Sequence, residues 1–153
     1  MKSKETILNA IRGLNQAEKK LPESPDFRLE GPLVMLFSKA LEGNKAEVLN
    51  QEEFQNWLSN CGMERVFSTI TQFQNQNSLI LPDDPHELED LELAILEGQF
   101  GVAENGAIWL EDAQLPYRAL PFITEHLVIV LHKENVVDTM HQAYDRIGEH
   151  YSG

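Results

Sequence analysis

The stretch from residue 98 to residue 110, GQFGVAENGAIWL, constrains the fold more than any other part of the chain. A short apolar run at residues 91–96 precedes it, and a second one, residues 107–110, ends it. Asn and Gly both tolerate positive φ, so Asn105 and Gly106 predict a tight turn with a strand after it. The stretch therefore indicates two strands joined through a compact turn.

Three other residues of this stretch are candidates for contact with a ligand. Gly98 and Gly101 lack a Cβ, so another part of the backbone or a ligand can approach closely there. Glu104 places a carboxylate between two apolar runs. The alternative is a structural turn in which Glu104 is simply solvated, because a single glycine-rich turn is a weak motif.

Alternating helices and short apolar strands predict an α/β fold with a largely parallel sheet. The continuous apolar run at 127–131 predicts a strand that is buried on both faces. Trp57 and Trp109 are predicted to lie in the core. The last helix is expected to begin after Asn135 and to end at Gly148. Helices are predicted from Ser3, as the N-cap, to Leu14 and over residues 33–41, 51–60 and 136–148, and strands over residues 46–49, 65–68, 79–81, 91–96, 107–110 and 127–131.

The chain divides into an arm and one domain. Residues 1–31 contain the first helix and a linker, and three prolines fall between residues 19 and 32. Residues 32–153 form the α/β domain, which is an ordinary size for one core.

Charge and composition exclude several classes of partner. A net charge of −13 repels phosphate backbones and anionic lipid, so neither nucleic acid nor a membrane is expected as a partner. The longest clean apolar run, residues 127–131, is far too short to span a bilayer, and residues 1–18 show no secretory signal. Cys61 is the only cysteine, which excludes a disulfide framework and a cysteine-ligated metal. The chain is expected to be cytoplasmic.

No metal or cofactor motif is present in the sequence. None of the five histidines lies four residues from another, as a helical zinc site requires. The acidic run over residues 83–92 lacks the spacing of a calcium loop and is interpreted as a solvated face. Phosphate-cradling loops and a nucleophile elbow are also absent, so no cofactor is predicted.

Arg118 is an isolated positive charge. No other Lys or Arg lies between Arg65 and Lys133. A guanidinium group binds carboxylates bidentately, so Arg118 can pair with an acidic ligand or with a carboxylate of the chain, such as Glu104.

Two segments together resemble a known family. FGVAENGAIWL, residues 100–110, and RALPFITEHLVIVL, residues 118–131, resemble the LUD domain of lactate-utilisation protein C. Members of that family tend to have a strand, Ala-Glu-Thr-Gly-Thr and a second strand, followed by an Arg, a Leu-Pro and a strand of the form His-x-x-x-Val. The matching residues here are Ala103, Glu104, Gly106, Arg118, Leu120, Pro121 and His126.

The resemblance implies a Rossmann-like three-layer sandwich, similar to the sugar-phosphate isomerase and CoA-transferase superfamily. It also implies bacterial lactate utilisation, in which such proteins accompany iron–sulfur subunits that oxidise lactate to pyruvate. This chain departs from the family pattern in two ways, and these limit which properties of the family the resemblance implies. Asn105 and Ala107 replace the two threonines of the turn, and the family's Gly-Pro-Ser-x-Thr loop does not follow before residue 153. No residue is therefore assigned a catalytic role.

These observations predict a LUD-like accessory or binding protein of organic-acid utilisation that acts with iron–sulfur partner subunits rather than as a self-contained enzyme. The alternative is an enzyme or sensor that binds a small carboxylate or phosphate. The residues of that alternative site are Gly98, Gly101, Glu104, Asn105, Gly106, Arg118 and His126. Self-association, as a homodimer, is expected because a sheet without the family's last strand leaves an edge to cover.

Overall fold

The structure is a computed structural model that describes residues 2–13, 22, 25–74 and 79–151. Part of the predicted arm, at residues 19–21, 23 and 24, lies outside the described residues, as does Leu14 of the predicted first helix. The helices are α1 (Lys2–Arg12), α2 (Leu33–Gly43), α3 (Gln51–Asn60), α4 (Leu120–Ile123) and α5 (Met140–Tyr151). The strands are β1 (Val66–Ser68), β2 (Leu93–Glu97), β3 (Phe100–Val102), β4 (Ile108–Trp109), β5 (His126–Val130) and β6 (Val136–Val137).

The predicted α/β class is confirmed: parallel strands alternate with helices, and in the described part of the chain the strands form two three-stranded sheets. The first sheet has the order β1-β2-β5 and is parallel throughout, with Leu93 opposite His126 and Glu97 opposite Val130. The second has the order β4-β3-β6, with β4 antiparallel and β6 parallel to β3.

The chain passes from the first sheet to the second at Gly98 and Gln99. The amide of Gly98 still donates to Val130 of the first sheet, at 2.9 Å. The amide of Gln99 donates to Trp109 of the second sheet, also at 2.9 Å. Two adjacent residues thus connect the two sheets, and this is why the stretch at 98–110 organises the molecule.

Apolar side chains pack on both faces of the first sheet. On one face α3 packs through Phe54 against Val66, Leu93 and Ile95. On the other face α4 and the segments around residues 81 and 115 cover the sheet. The core residues there are Leu88, Leu91, Ala94, Leu96 and Leu120, each 1% exposed or less. β2 is the central strand and the most deeply buried element.

Two predicted strands are absent in the structure. Residues 46–49 have no regular structure and connect α2 to α3, with only Leu49 packed inward. Residues 79–81 lie beside β1 and make one backbone hydrogen bond, from Leu79 to Val66. Pro82 has no amide to continue that pairing, and Ile80 is almost fully exposed. Both predictions were therefore wrong.

The last helix begins later than predicted and ends later. Val136 and Val137 are β-branched and pair with β3 as β6, so α5 starts only at Met140. α5 continues past Gly148 to Tyr151.

Two further predictions of burial were wrong. The run at 127–131 was expected to be buried on both faces, but β5 is an edge strand and Leu127 is exposed. Trp109, expected in the core, is partly exposed and stacks on Phe100 with ring centroids 6.2 Å apart. None of the helices in the described ranges is long and apolar enough to cross a membrane.

Candidate functional site

The predicted turn after β3 is confirmed. Gly106 has a φ of 75° and donates its amide to Val102 at 2.9 Å, while Val102 donates to Ala107 at 2.8 Å. The Asn105 side chain closes the turn, because its Oδ1 accepts the amide of Ala107 at 3.0 Å. The positive φ thus favours glycine at position 106, whereas Asn105 contributes through the hydrogen bond of its side chain.

The turn packs against the end of α2. A Cβ added to Gly106 would lie 3.2 Å from the Leu41 nitrogen, so a side chain there would push the backbone of α2 away by a few tenths of an ångström, in addition to the strain of the positive φ. The Asn44 side chain donates to the Asn105 carbonyl oxygen at 3.0 Å. The glycine therefore allows the turn and α2 to meet backbone to backbone.

The carboxylate of Glu104 accepts a hydrogen bond from another part of the chain. Its Oε2 accepts the amide of Met140, the first residue of α5, at 2.8 Å. The Glu104 amide donates to the Asp138 carbonyl oxygen at 3.0 Å. A carboxylate at a helix N-terminus satisfies an amide that has no partner within the helix and interacts favourably with the helix dipole. Glu104 thus connects the turn to α5.

Gly98 and Gly101 are buried beneath apolar side chains. A Cβ on Gly98 would lie 2.8 Å from Ile108 and 2.9 Å from Ile129. A Cβ on Gly101 would lie 2.7 Å from the Phe37 ring. The atoms that approach these two positions closely belong to side chains of the protein, and not to another part of the backbone as the sequence suggested.

Arg118 pairs with Asp112 instead of Glu104. Its guanidinium group contacts both carboxylate oxygens of Asp112, and the Arg118 side chain is 84% exposed. The hydrogen bond and charge of Asp112 raise the pKa of Arg118 above its ordinary value. No ion pair or hydrogen bond joins Arg118 to Glu104 in the part of the chain that the structure describes.

His126 lies far from the turn. It is the first residue of β5 and pairs with Leu93, at the amino edge of the first sheet. Gly98 follows β2 at the opposite edge, about 16 Å away for five residues of strand. The structure therefore brings Glu104, Asn105 and Gly106 together and separates His126 from them.

Asp138 was missed as a site residue. It is 6% exposed, and its Oδ1 accepts the amide of Leu29 at 2.9 Å, which holds the arm on the domain. Phe27, two residues before Leu29, stacks on His141 of α5 with ring centroids 4.8 Å apart. The sequence signal that could have identified Asp138 is an acidic residue followed by Thr139, directly before an amphipathic helix.

Two clefts open at opposite edges of the first sheet. A small cavity of about 130 Å³ lies at the carboxyl edge, where α/β folds bind ligands, and Thr69, Glu97, Glu111 and Gln114 contribute to its lining. A larger cleft of about 680 Å³ lies at the amino edge. Five carboxylates and one guanidinium group line it, those of Glu64, Glu89, Asp90, Glu92, Glu125 and Arg65.

Glu92 anchors the rim of the larger cleft. Its Oε2 accepts the amides of Arg65 and Glu64, at 2.8 and 2.7 Å. These two hydrogen bonds lower the pKa of Glu92 below its ordinary value, and the bond from the Arg65 amide has the larger effect. Within the described ranges no group of three or more His, Cys, Asp or Glu residues is arranged to hold a metal ion.

Comparison with known proteins gives one family assignment and no closer relative. The LUD domain model matches residues 82–152, which include β2 to β6, α4 and α5. No curated protein and no solved structure matches the chain. The matched segment contains every residue that carried the resemblance, from Ala103 to His126. The carboxy-terminal part of the chain, residues 82–152, is thus similar to the LUD domain family.

Proposed function

We propose that the chain is an accessory or binding protein of bacterial lactate or organic-acid utilisation that acts in the cytoplasm with iron–sulfur partner subunits. The LUD domain is associated with lactate-utilisation proteins, and the match over residues 82–152 supports that setting. The observation that carries the accessory role is the hydrogen bond from Met140 to the Glu104 carboxylate.

That hydrogen bond gives the carboxylate of the turn a structural task. The amide of Met140 occupies Oε2 of Glu104 at the start of α5, so a ligand at this carboxylate would be left with Oε1. Arg118 likewise has an internal partner in Asp112. Both charges that the family resemblance singled out are therefore engaged, which favours a protein that works through its surface.

Co-purification tests the proposal. The tagged full chain is recovered from its native source grown with lactate and, separately, with another carbon source, and bound proteins are identified by mass spectrometry. Iron–sulfur oxidoreductase subunits are expected to be enriched with the chain during growth on lactate. Recovery of the chain without any oxidoreductase subunit, under both conditions, would contradict the accessory role.

A small anionic metabolite bound by Arg118 is the alternative. The observation that favours it is the exposure of the Arg118 side chain, next to a loop whose Gln114 lines the carboxyl-edge cavity. The glutamates of that cavity, Glu97 and Glu111, oppose an anion. Calorimetry with lactate, pyruvate and sugar phosphates tests this alternative. It requires saturable uptake that Arg118→Ala abolishes without a change in melting temperature.

A further inference from the structure

Helix α1 exposes its apolar face. Ile7, Leu8 and Ile11 lie along one side of the helix and are 55, 38 and 58% exposed. A helix of 11 residues is marginal in water when nothing packs against it. Three apolar side chains at i, i+1 and i+4 are the usual means by which such a helix gains stability from a neighbouring surface. α1 therefore has the form of a docking element.

The charge of α1 opposes that of the rest of the chain. It contains Lys2, Lys4 and Arg12 against Glu5, a net charge of +2, so the remaining residues carry −15. Lys4 lies three and four residues before Ile7 and Leu8, which places its ammonium group on the apolar side. The exposed face of α1 is thus basic in the first half of the helix and apolar in the second half.

The large cleft at the amino edge of the first sheet has the complementary character. The carboxylates of Glu89, Asp90 and Glu125 at its rim are exposed and accept no hydrogen bond from the described part of the chain. Ile123 of α4 contributes an apolar wall, and its neighbour Phe122 is 87% exposed. An apolar wall beside carboxylates that accept no hydrogen bond, with an exposed aromatic residue next to that wall in the chain, suits a basic amphipathic helix.

We infer that α1 docks in this cleft on a second copy of the chain. Ile7, Leu8 and Ile11 then cover Phe122 and Ile123, and Lys4 faces the carboxylates of the rim. Opposite charges align the helix, and apolar burial supplies most of the affinity. Exchange of α1 between two copies is reciprocal and closes a two-fold dimer, so each dimer contains the contact twice.

The arm is long enough for this exchange. Leu29 is held on the domain by Asp138, and it lies 17 positions after Arg12, the last residue of α1. An extended chain of that length spans at most about 60 Å, which is more than the diameter of a domain of this size. A second copy is favoured over an anionic membrane because the net charge of −13 repels such a surface.

Reversal of charges on both sides of the contact tests the inference. The mass of the full chain is followed by sedimentation equilibrium from about 1 to 100 micromolar. The parent is expected to dimerise, and Lys4→Glu and the pair Glu89→Lys with Asp90→Lys should each weaken the dimer at least about tenfold. Lys4→Glu combined with Glu89→Lys and Asp90→Lys should restore most of the affinity. Glu47→Lys, at an exposed carboxylate outside the cleft, should leave the dimer unchanged.

Several results would overturn the inference. A parent that remains monomeric throughout, or a dimer that the charge reversals and deletion of residues 1–13 leave intact, excludes the exchange. A monomer whose melting temperature falls on that deletion would place α1 in the cleft of its own chain instead. Binding of the parent to vesicles that contain anionic lipid, lost on the same deletion, would identify a membrane helix. The proposed dimer contact goes beyond the proposed metabolic role, so an experiment can contradict one of the two proposals without contradicting the other.

Discussion

At the scale of single residues, Glu104 and Arg118 differ in what their charges hold in place. The Glu104 carboxylate joins the turn after β3 to the first amide of α5, across 36 positions of sequence. The Arg118 guanidinium group pairs with Asp112 of the same exposed loop. The resemblance identified both residues, but the sequence offered no means to tell a helix cap from a ligand contact.

This difference predicts opposite effects on stability. Glu104→Ala leaves the amide of Met140 without its partner and should lower the free energy of unfolding by about 1 kcal/mol. Arg118→Ala removes an ion pair that is solvated on most sides and should leave the melting temperature close to that of the parent. Thermal unfolding of the two variants measures both effects. A large loss of stability for Arg118→Ala with none for Glu104→Ala would reverse the assignment.

Glu92 predicts a dependence of stability on pH. Its pKa is lowered in the folded chain, chiefly by the amides of Arg65 and Glu64, relative to an ordinary value of 4.5. A lowered folded pKa means that the stabilising contribution is complete above the ordinary value. It is lost as the pH falls from there through the folded pKa, because the unfolded chain takes up the proton first.

The comparison of Glu92→Gln with the parent isolates this contribution. The variant should melt at a lower temperature than the parent at pH 7, and the difference should shrink as the pH falls below about 4.5. Glu47→Gln is the control, since the exposed Glu47 carboxylate lies outside the cleft and accepts no hydrogen bond in the described part of the chain. A difference for Glu92→Gln that stays constant down to strongly acidic pH would show that the carboxylate charge contributes nothing.

At the scale of elements, Gly98 and Gly101 of the 98–110 stretch allow close packing. Gly101 lies in β3 where the Phe37 ring of α2 and Leu131 cross the strand. Gly101→Ala brings a methyl group within 2.7 Å of that ring and should destabilise the fold by about 1–3 kcal/mol. Denaturant unfolding measures the loss.

Gly148→Ala is the matched control for Gly101→Ala. Gly148 lies inside α5, and nothing is within 4 Å of the position of its Cβ. The same substitution there should stabilise the chain by about 0.5–1 kcal/mol, because alanine favours a helix. Equal effects at the two positions would mean that Phe37 does not cross β3 as described.

The sequence predicted elements well where the pattern was local. α3 was correct to the residue, because Asn50 caps it through the amides of Glu52 and Glu53 and its apolar side chains follow helical spacing. β6 was missed because two valines next to a helix read equally well as its first turn. Only the pairing with Gly101 and Val102, far away in sequence, makes them a strand.

At the scale of the whole molecule, the α/β class followed from the sequence, and so did the resemblance to the LUD domain family that the match over residues 82–152 supports. The division into two sheets did not, because it depends on one change of hydrogen-bonding partner between Gly98 and Gln99. The candidate ligand site stays a prediction: residues 104–106 form one turn, whereas His126 is at the other edge of the sheet. The spacing of residues along the chain does not show which strand ends lie at the same edge of the sheet.

The rate of lactate oxidation by the partner subunits tests the accessory role most directly. Extracts of source cells that lack the chain are supplied with lactate and an electron-accepting dye, and pyruvate formation is followed with and without the purified chain. The account predicts that the chain alone forms no pyruvate and that its addition raises the rate in the extract. Pyruvate formation by the purified chain alone, or an extract whose rate does not change when the chain is added, would contradict it.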